Sequence, residues 1–201
     1  MLRIVSTAVL PGLLVIAAVA FAQEPTPARI RGTVAAMDHQ TMTVTDRAGG
    51  TETVTLKPDA MVVDVVATSL AEIKPDSFVG VTSLPGADGA LTAVEVHIFP
   101  EAMRGTGEGH RPWDLGAGST MTNGTVGTVT GTGGRTMTVK YGTESKTIEV
   151  TDKTQVVSFQ PGQLDELKPG AHIIVFAQKA PDGTLTASRV TVGKDGVVPP
   201  M

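Results

Sequence analysis

From residue 30 onward the chain is dominated by apolar and polar residues alternating with a period of two. Thr41-Met-Thr-Val-Thr and Thr136-Met-Thr-Val place Met and Val on one side and Thr on the other, and Thr53-Val-Thr-Leu and Thr147-Ile-Glu-Val repeat the pattern. Such alternation predicts short strands with one buried face. Asp88-Gly89 and Asp182-Gly183, each set between two such runs, are tight-turn signals. The one helical candidate is a single turn, Ser69-Leu-Ala-Glu, with capping-box spacing from Ser69 to Glu72. Lys74-Pro75 and Lys168-Pro169 then stop a helix, because a residue before proline avoids the helical region.

The pattern is written twice. Residues 32–44 read GTVAAMDHQTMTV and residues 127–139 read GTVTGTGGRTMTV, with seven of thirteen positions identical at an offset of 95. The offset then becomes 94: Leu70, Ile73, Lys74 and Pro75 fall on Leu164, Leu167, Lys168 and Pro169, and Leu91-Thr-Ala falls on Leu185-Thr-Ala. Two copies are too few for a solenoid, so the expectation is a pair of tandem domains. Five strands with one helical turn before the fourth describe an all-β fold, two small OB-like barrels in tandem. Each copy holds about 70 residues, a size at which a core is marginal alone, and packing of one copy on the other adds buried area.

The expected organisation is a signal peptide at 1–22, a short linker at 23–29, domains at 30–99 and 125–193, an inter-domain segment at 100–124 and a tail at 194–201. Arg3, the apolar run Ile4–Phe21 and the Ala20-Phe21-Ala22 exit have the form of a cleaved leader, which predicts a periplasmic protein with no stable membrane span after cleavage. The formal net charge is −4, and loss of Arg3 makes it one unit more negative. An acidic chain with 3% aromatic residues lacks both the basic patches and the stacking platforms that nucleic acid requires. The absence of Cys excludes disulfides as a supplement to the core.

The glycine-led first strand, the Leu-x-x-Leu-Lys-Pro-Gly turn at Leu164–Gly170 and the Asp182-Gly-Thr-Leu-Thr-Ala pair resemble the bacterial domain-of-unknown-function family 5666. The resemblance covers both copies and implies exported OB-like modules, commonly in tandem, with no assigned reaction. The first copy departs from it with Asp76 where the second has Gly170.

Residues 100–124, PEAMRGTGEGHRPWDLGAGSTMTNG, have no counterpart elsewhere. Eight of these 25 residues are Gly or Pro, which argues against a regular element. The segment holds the only Trp, Trp113, with His110, Met103 and Met121. One expectation is that Trp113 packs between the domains while Arg111 pairs with Asp114. The other is a soft-metal site: thioether and imidazole select Cu(I) or Ag(I), and an indole face can lie over the cation. Met103, His110, Met121 and Trp113 as a set are similar to the ligands of the periplasmic copper chaperone of the Cus efflux system, a small OB barrel whose ligands lie on barrel strands.

Catalytic signals fail. His39, His97 and His172 are isolated, no Ser stands in a nucleophile elbow (Ser119 is only loosely similar), and the Gly-rich stretches lack a P-loop lysine. Asn123-Gly-Thr reads as a turn entering the second copy. The expected function is therefore a non-enzymatic binding module without a cofactor, for an envelope protein, a glycan or a metal ion. A hydrolase, the alternative from another class, lacks a nucleophile–base pair.

Overall fold

The structure is a computed structural model that describes residues 24–86, 89–130 and 136–199. The expected leader at 1–22 lies outside the described residues, as does Asp88 of the first expected hairpin. Among the described residues no helix is long and apolar enough to cross a membrane. Regular structure among the described residues is strand or single 3-10 turn, so the all-β expectation is what the structure shows. The strands are β1 (Thr26–Asp38), β2 (Thr41–Asp46), β3 (Thr51–Ala67), β4 (Phe78–Pro85), β5 (Leu91–Ile98), β6 (Gly109–Pro112), β7 (Thr120–Thr130), β8 (Thr136–Tyr141), β9 (Glu144–Glu149), β10 (Gln155–Pro161), β11 (His172–Lys179) and β12 (Leu185–Gly193). The 3-10 turns are Leu70–Glu72, Glu101–Met103 and Leu164–Glu166.

The two copies do not close separately. The strands form one twelve-stranded sheet in the order β12-β11-β1-β2-β3-β10-β5-β4-β7-β8-β9, with β6 added to β7. A parallel β12–β3 pairing closes β12-β11-β1-β2-β3 into one barrel, and a β5–β9 pairing closes β5-β4-β7-β8-β9 into a second. Each barrel thus takes its first three strands from one copy and its last two from the other. The cores follow the same division. Met42, Val44 and Leu56 pack with Ile173, Val175 and Val190, whereas Val79, Val81 and Val96 pack with Val126, Val139 and Ile148. The expected domains 30–99 and 125–193 remain units of sequence, with their strands shared between two closed bodies.

The exchange has a local cause. β10 runs antiparallel to the second half of β3, with Val157 opposite Ala67, Phe159 opposite Val65 and Pro161 opposite Val63. This register is symmetric about Val65 and Phe159 once the offset of 94 is applied, so it behaves as an isologous two-fold contact between equivalent strands. The pairing occupies the edges of both strands and sends the following 3-10 turns outward to opposite barrels. Matching hydrogen bonds receive them: Asp76 N–H donates to Val126 O and Val126 N–H to Ser77 O, while Gly170 N–H donates to Val34 O and Val34 N–H to Ala171 O. Asp76 and Gly170 both sit at positive φ, +68° and +91°, which explains how Asp replaces Gly there: aspartate tolerates the left-handed region better than most side chains.

The equivalence of the opening strands differs from the best sequence overlap. Thr33 and Val34 pair with Thr45 and Val44, while Thr125 and Val126 pair with Lys140 and Val139. Gly32-Thr-Val therefore corresponds to Gly124-Thr-Val rather than to Gly127-Thr-Val, and the second copy spends three extra residues between its first two strands. Asn123-Gly-Thr is accordingly part of β7, not a turn. The capping box also lies elsewhere than expected: Ser69 makes no side-chain cap, whereas Glu166 accepts from Gln163 N–H in the second copy.

Cysteine pairs would read out the exchange directly, since the chain has no Cys of its own. Ala28 lies opposite Ala177, a cross-strand spacing that suits a disulfide. Ala28→Cys with Ala177→Cys should oxidise fully, giving a faster-migrating band in non-reducing electrophoresis. Ala28→Cys with Ser83→Cys, the pair that a self-closed first copy would bring together, should remain reduced.

Candidate ligand cavity between the barrels

A third apolar cluster joins the two barrels. Val63, Val65, Phe78, Phe99, Met121, Val157, Phe159 and Ile174 are buried in it, with Met103, Trp113, Phe176 and Val197 packed against them. The segment 100–124 covers one end of this cluster and is more regular than its Gly and Pro content suggests. It contributes a 3-10 turn, then β6 antiparallel to β7, with Arg111 opposite Met121 and Gly109 opposite Asn123. Ser119 closes the β6–β7 connection by donating to the Trp113 and Gly116 carbonyls, and Trp113 N–H donates to Ser119 O. Trp113 is mostly buried at the junction, where the sequence placed it.

Beneath this cover lies a cavity of about 220 Å³ between two cross-strand rows. One row, on the first barrel, is Arg29–Phe176–Arg189 across β1, β11 and β12. The other, on the second barrel, is His97–Gly80–Asn123 across β5, β4 and β7. Phe99, Phe159 and Met121 form the floor, and Thr106, Gly107, Arg111 and Trp113 the roof. Gly80 is dictated by its neighbours, because a Cβ there would overlap His97 Nε2 and lie 2.7 Å from Asn123 Oδ1. His97 stacks on Phe159, with centroids 4.8 Å apart, and its Nδ1 lies 3.1 Å from Glu95 Oε1. Both members of this pair are buried, at 2% and 1% exposure.

The cationic groups are held by their faces. Arg29 lies 3.8 Å from the Trp113 ring centroid, Arg111 lies 5.6 Å from it, and Arg189 lies 3.9 Å from the Phe176 centroid. Stacking of this kind fixes a guanidinium plane and leaves its N–H edge available. Asp114 does not pair with Arg111, contrary to expectation. It accepts from Arg31 at 2.8 and 3.2 Å and bridges Arg29 at 3.0 Å. Burial pushes the Asp114 carboxyl up, but hydrogen bonds and charge from Arg31 and Arg29 outweigh it and leave the group below the ordinary carboxylate value. Arg111 instead donates to Gly107 O. Burial first, and then the charge of Arg29, hold Arg111 and Arg189 below the usual guanidinium value.

Three buried polar atoms at the cavity lack a hydrogen-bond partner: Trp113 Nε1, Arg189 Nε and Asn123 Oδ1. Of the residues singled out from sequence, Trp113, Arg111 and Met121 line the cavity, and Met103 packs in the same cluster. His110 does not join them. It stands beside Arg111 on β6, so it faces the other way, with Nδ1 2.8 Å from Thr122 Oγ1 and its ring stacked on Tyr141. Burial and then the Lys146 charge lower its pKa, against a smaller opposing effect of Glu144. Among the described residues no group of three His, Cys, Asp or Glu could hold a metal ion. Arg29, Arg189, His97 and Asn123 were not legible as site residues, because they come from four strands that only the exchange brings together.

Residues 126–191 match the family described as Domain of unknown function (DUF5666). The matched segment runs from β7 to β12 and so contributes strands to both barrels. No curated protein and no solved structure matches the chain.

Proposed function

We propose that this protein is an exported, periplasmic, non-enzymatic binding module whose ligand seat is the cavity between the barrels. The observation that carries the reading is that Trp113, Arg189 and Asn123, each with a buried polar atom that lacks a partner (Nε1, Nε and Oδ1), all line one cavity. Buried polar atoms without partners are costly, so a site that collects three of them has a use for them. A small number of convergent polar groups in an apolar, aromatic setting is the usual form of a small-molecule site. The size of the cavity favours a small molecule over an envelope protein or a glycan chain. A hydrolytic role lacks support, since the Ser119 hydroxyl is spent on the carbonyls of its own turn.

The reading is tested by amide chemical-shift mapping against a small-molecule library, with Trp113 fluorescence as the second signal. Binders should shift Phe159, Asn123 and Arg189 together. Shifts confined to surfaces outside the cavity would sink the assignment.

A soft-metal role is the second reading, favoured by Met103, Met121 and Trp113 sharing the junction cluster. Under it, Ag(I) should quench Trp113 at one-to-one stoichiometry, and Met121→Leu should weaken the binding. A flat titration removes it.

A further inference from the structure

The two sides of the cavity have diverged in charge, although the copies that supply them are related. Arg189 occupies the place in β12 that Glu95 occupies in β5, each opposite the equivalent residue of the neighbouring strands. Glu95 is committed to His97. Among the described residues, no carboxylate pairs with Arg189 or with Arg111, whereas Arg29 shares Asp114 with Arg31. In a chain of net charge −4, this junction therefore holds two guanidinium groups, Arg111 and Arg189, that Asp114 does not neutralise. Both are partly buried, an unpaired cation drawn from water is costly, and a planar carboxylate matches the guanidinium fork in two parallel hydrogen bonds.

We propose that the junction cavity seats a one-ring carboxylate, its carboxylate on the open N–H edges of Arg111 and Arg189 and its ring among Trp113, Phe99 and Phe159. The proposal rests on the reading of this cavity as the ligand seat. Size supports a single ring: a cavity of about 150 Å³ takes up benzene, and this one holds about 220 Å³, which leaves room for a carboxylate. Lining chemistry excludes a bare inorganic anion as the best fit, because Phe99, Phe159, Phe176 and Met121 offer such an ion nothing to replace its hydration shell. Asn123 lines the same cavity with its Oδ1 unpartnered, so a ring hydroxyl that reaches that oxygen gains a hydrogen bond.

The test uses the full mature chain at constant ionic strength, with Trp113 fluorescence and amide shifts as signals. The probes are benzoate, 4-hydroxybenzoate, benzyl alcohol, benzylamine and sulfate. Benzoate and 4-hydroxybenzoate should saturate a single site, the second more tightly, and the other probes should bind at least about tenfold more weakly. Arg111→Met and Arg189→Met should each weaken benzoate by about tenfold or more, whereas Lys179→Met, which removes an exposed charge, should not. Should Arg189→Met fail to fold, Arg111→Met at the roof carries the comparison. Benzyl alcohol binding as tightly as benzoate, or benzoate indifferent to both arginine replacements, would overturn the carboxylate and leave the ligand seat standing. Sulfate as tight as benzoate would overturn the ring. No perturbation of the cavity by any probe would overturn both readings.

Discussion

Replacing Gly124 with alanine is expected to lower the thermal midpoint by about 10 °C, and Gly32→Ala should do the same in the other barrel. A Cβ on Gly124 would overlap the backbone carbonyl oxygen of Lys140, and a Cβ on Gly32 would overlap that of Thr45. These are equivalent places, each on the opening strand of a copy just before its bulge. The obstacle is main chain within a paired strand, so no side-chain rotation relieves it, and the strands must separate. Overpacking of this kind costs about 3 kcal/mol, and in a chain of this size each kcal/mol moves the midpoint by about 2–4 °C. Gly116→Ala, where the added carbon meets nothing, should leave the midpoint unchanged. Calorimetry on the three variants decides it. A Gly124→Ala protein as stable as Gly116→Ala would mean that the β7–β8 pairing is not as described.

These glycines also show which parts of the fold could be read from sequence. The alternation in Thr41–Thr45 and Thr136–Val139 fixed strands and their buried faces, because a period of two leaves only one way to hide Met42, Val44, Met137 and Val139. Positive φ at Gly89 and Gly183 agrees with the two expected turns. Closure was not legible. Whether β4 follows β3 into its own barrel or crosses to the other depends on the pairing of β3 with β10, and both arrangements bury the same residues against equivalent neighbours. Duplication itself hides the choice, since every contact within a copy has a counterpart between copies.

The same ambiguity explains what was and was not visible at the site. Trp113 stood out as the one large aromatic in an unrepeated segment, and packing an indole needs a large apolar seat, so its place at the junction followed. Its partners did not, because Arg29, Arg189 and His97 look like ordinary strand residues until the exchange sets β1, β12 and β5 around one space. His110 misled for a different reason. Gly and Pro in the segment hid strand β6, and on a strand His110 and Arg111 must face opposite ways.

The buried Glu95–His97 pair yields the other large expected effect, and it is asymmetric. His97→Leu leaves the Glu95 carboxylate in the core with neither oxygen partnered, because Oε2 already lacks a hydrogen bond. Stranding one member of a buried pair costs about 3–5 kcal/mol, or about 10 °C in midpoint for a chain of this length. Glu95→Leu strands only an imidazole, which keeps its packing against Phe99 and Phe159, so about 1–3 kcal/mol is expected. The double replacement should be more stable than His97→Leu alone, since two apolar side chains of similar volume remove the unpaired group altogether. Denaturant unfolding of the four proteins, analysed as a double-mutant cycle, measures the coupling. Additive losses would show that Glu95 and His97 do not act as a pair, and that the floor of the cavity is held by aromatic packing alone.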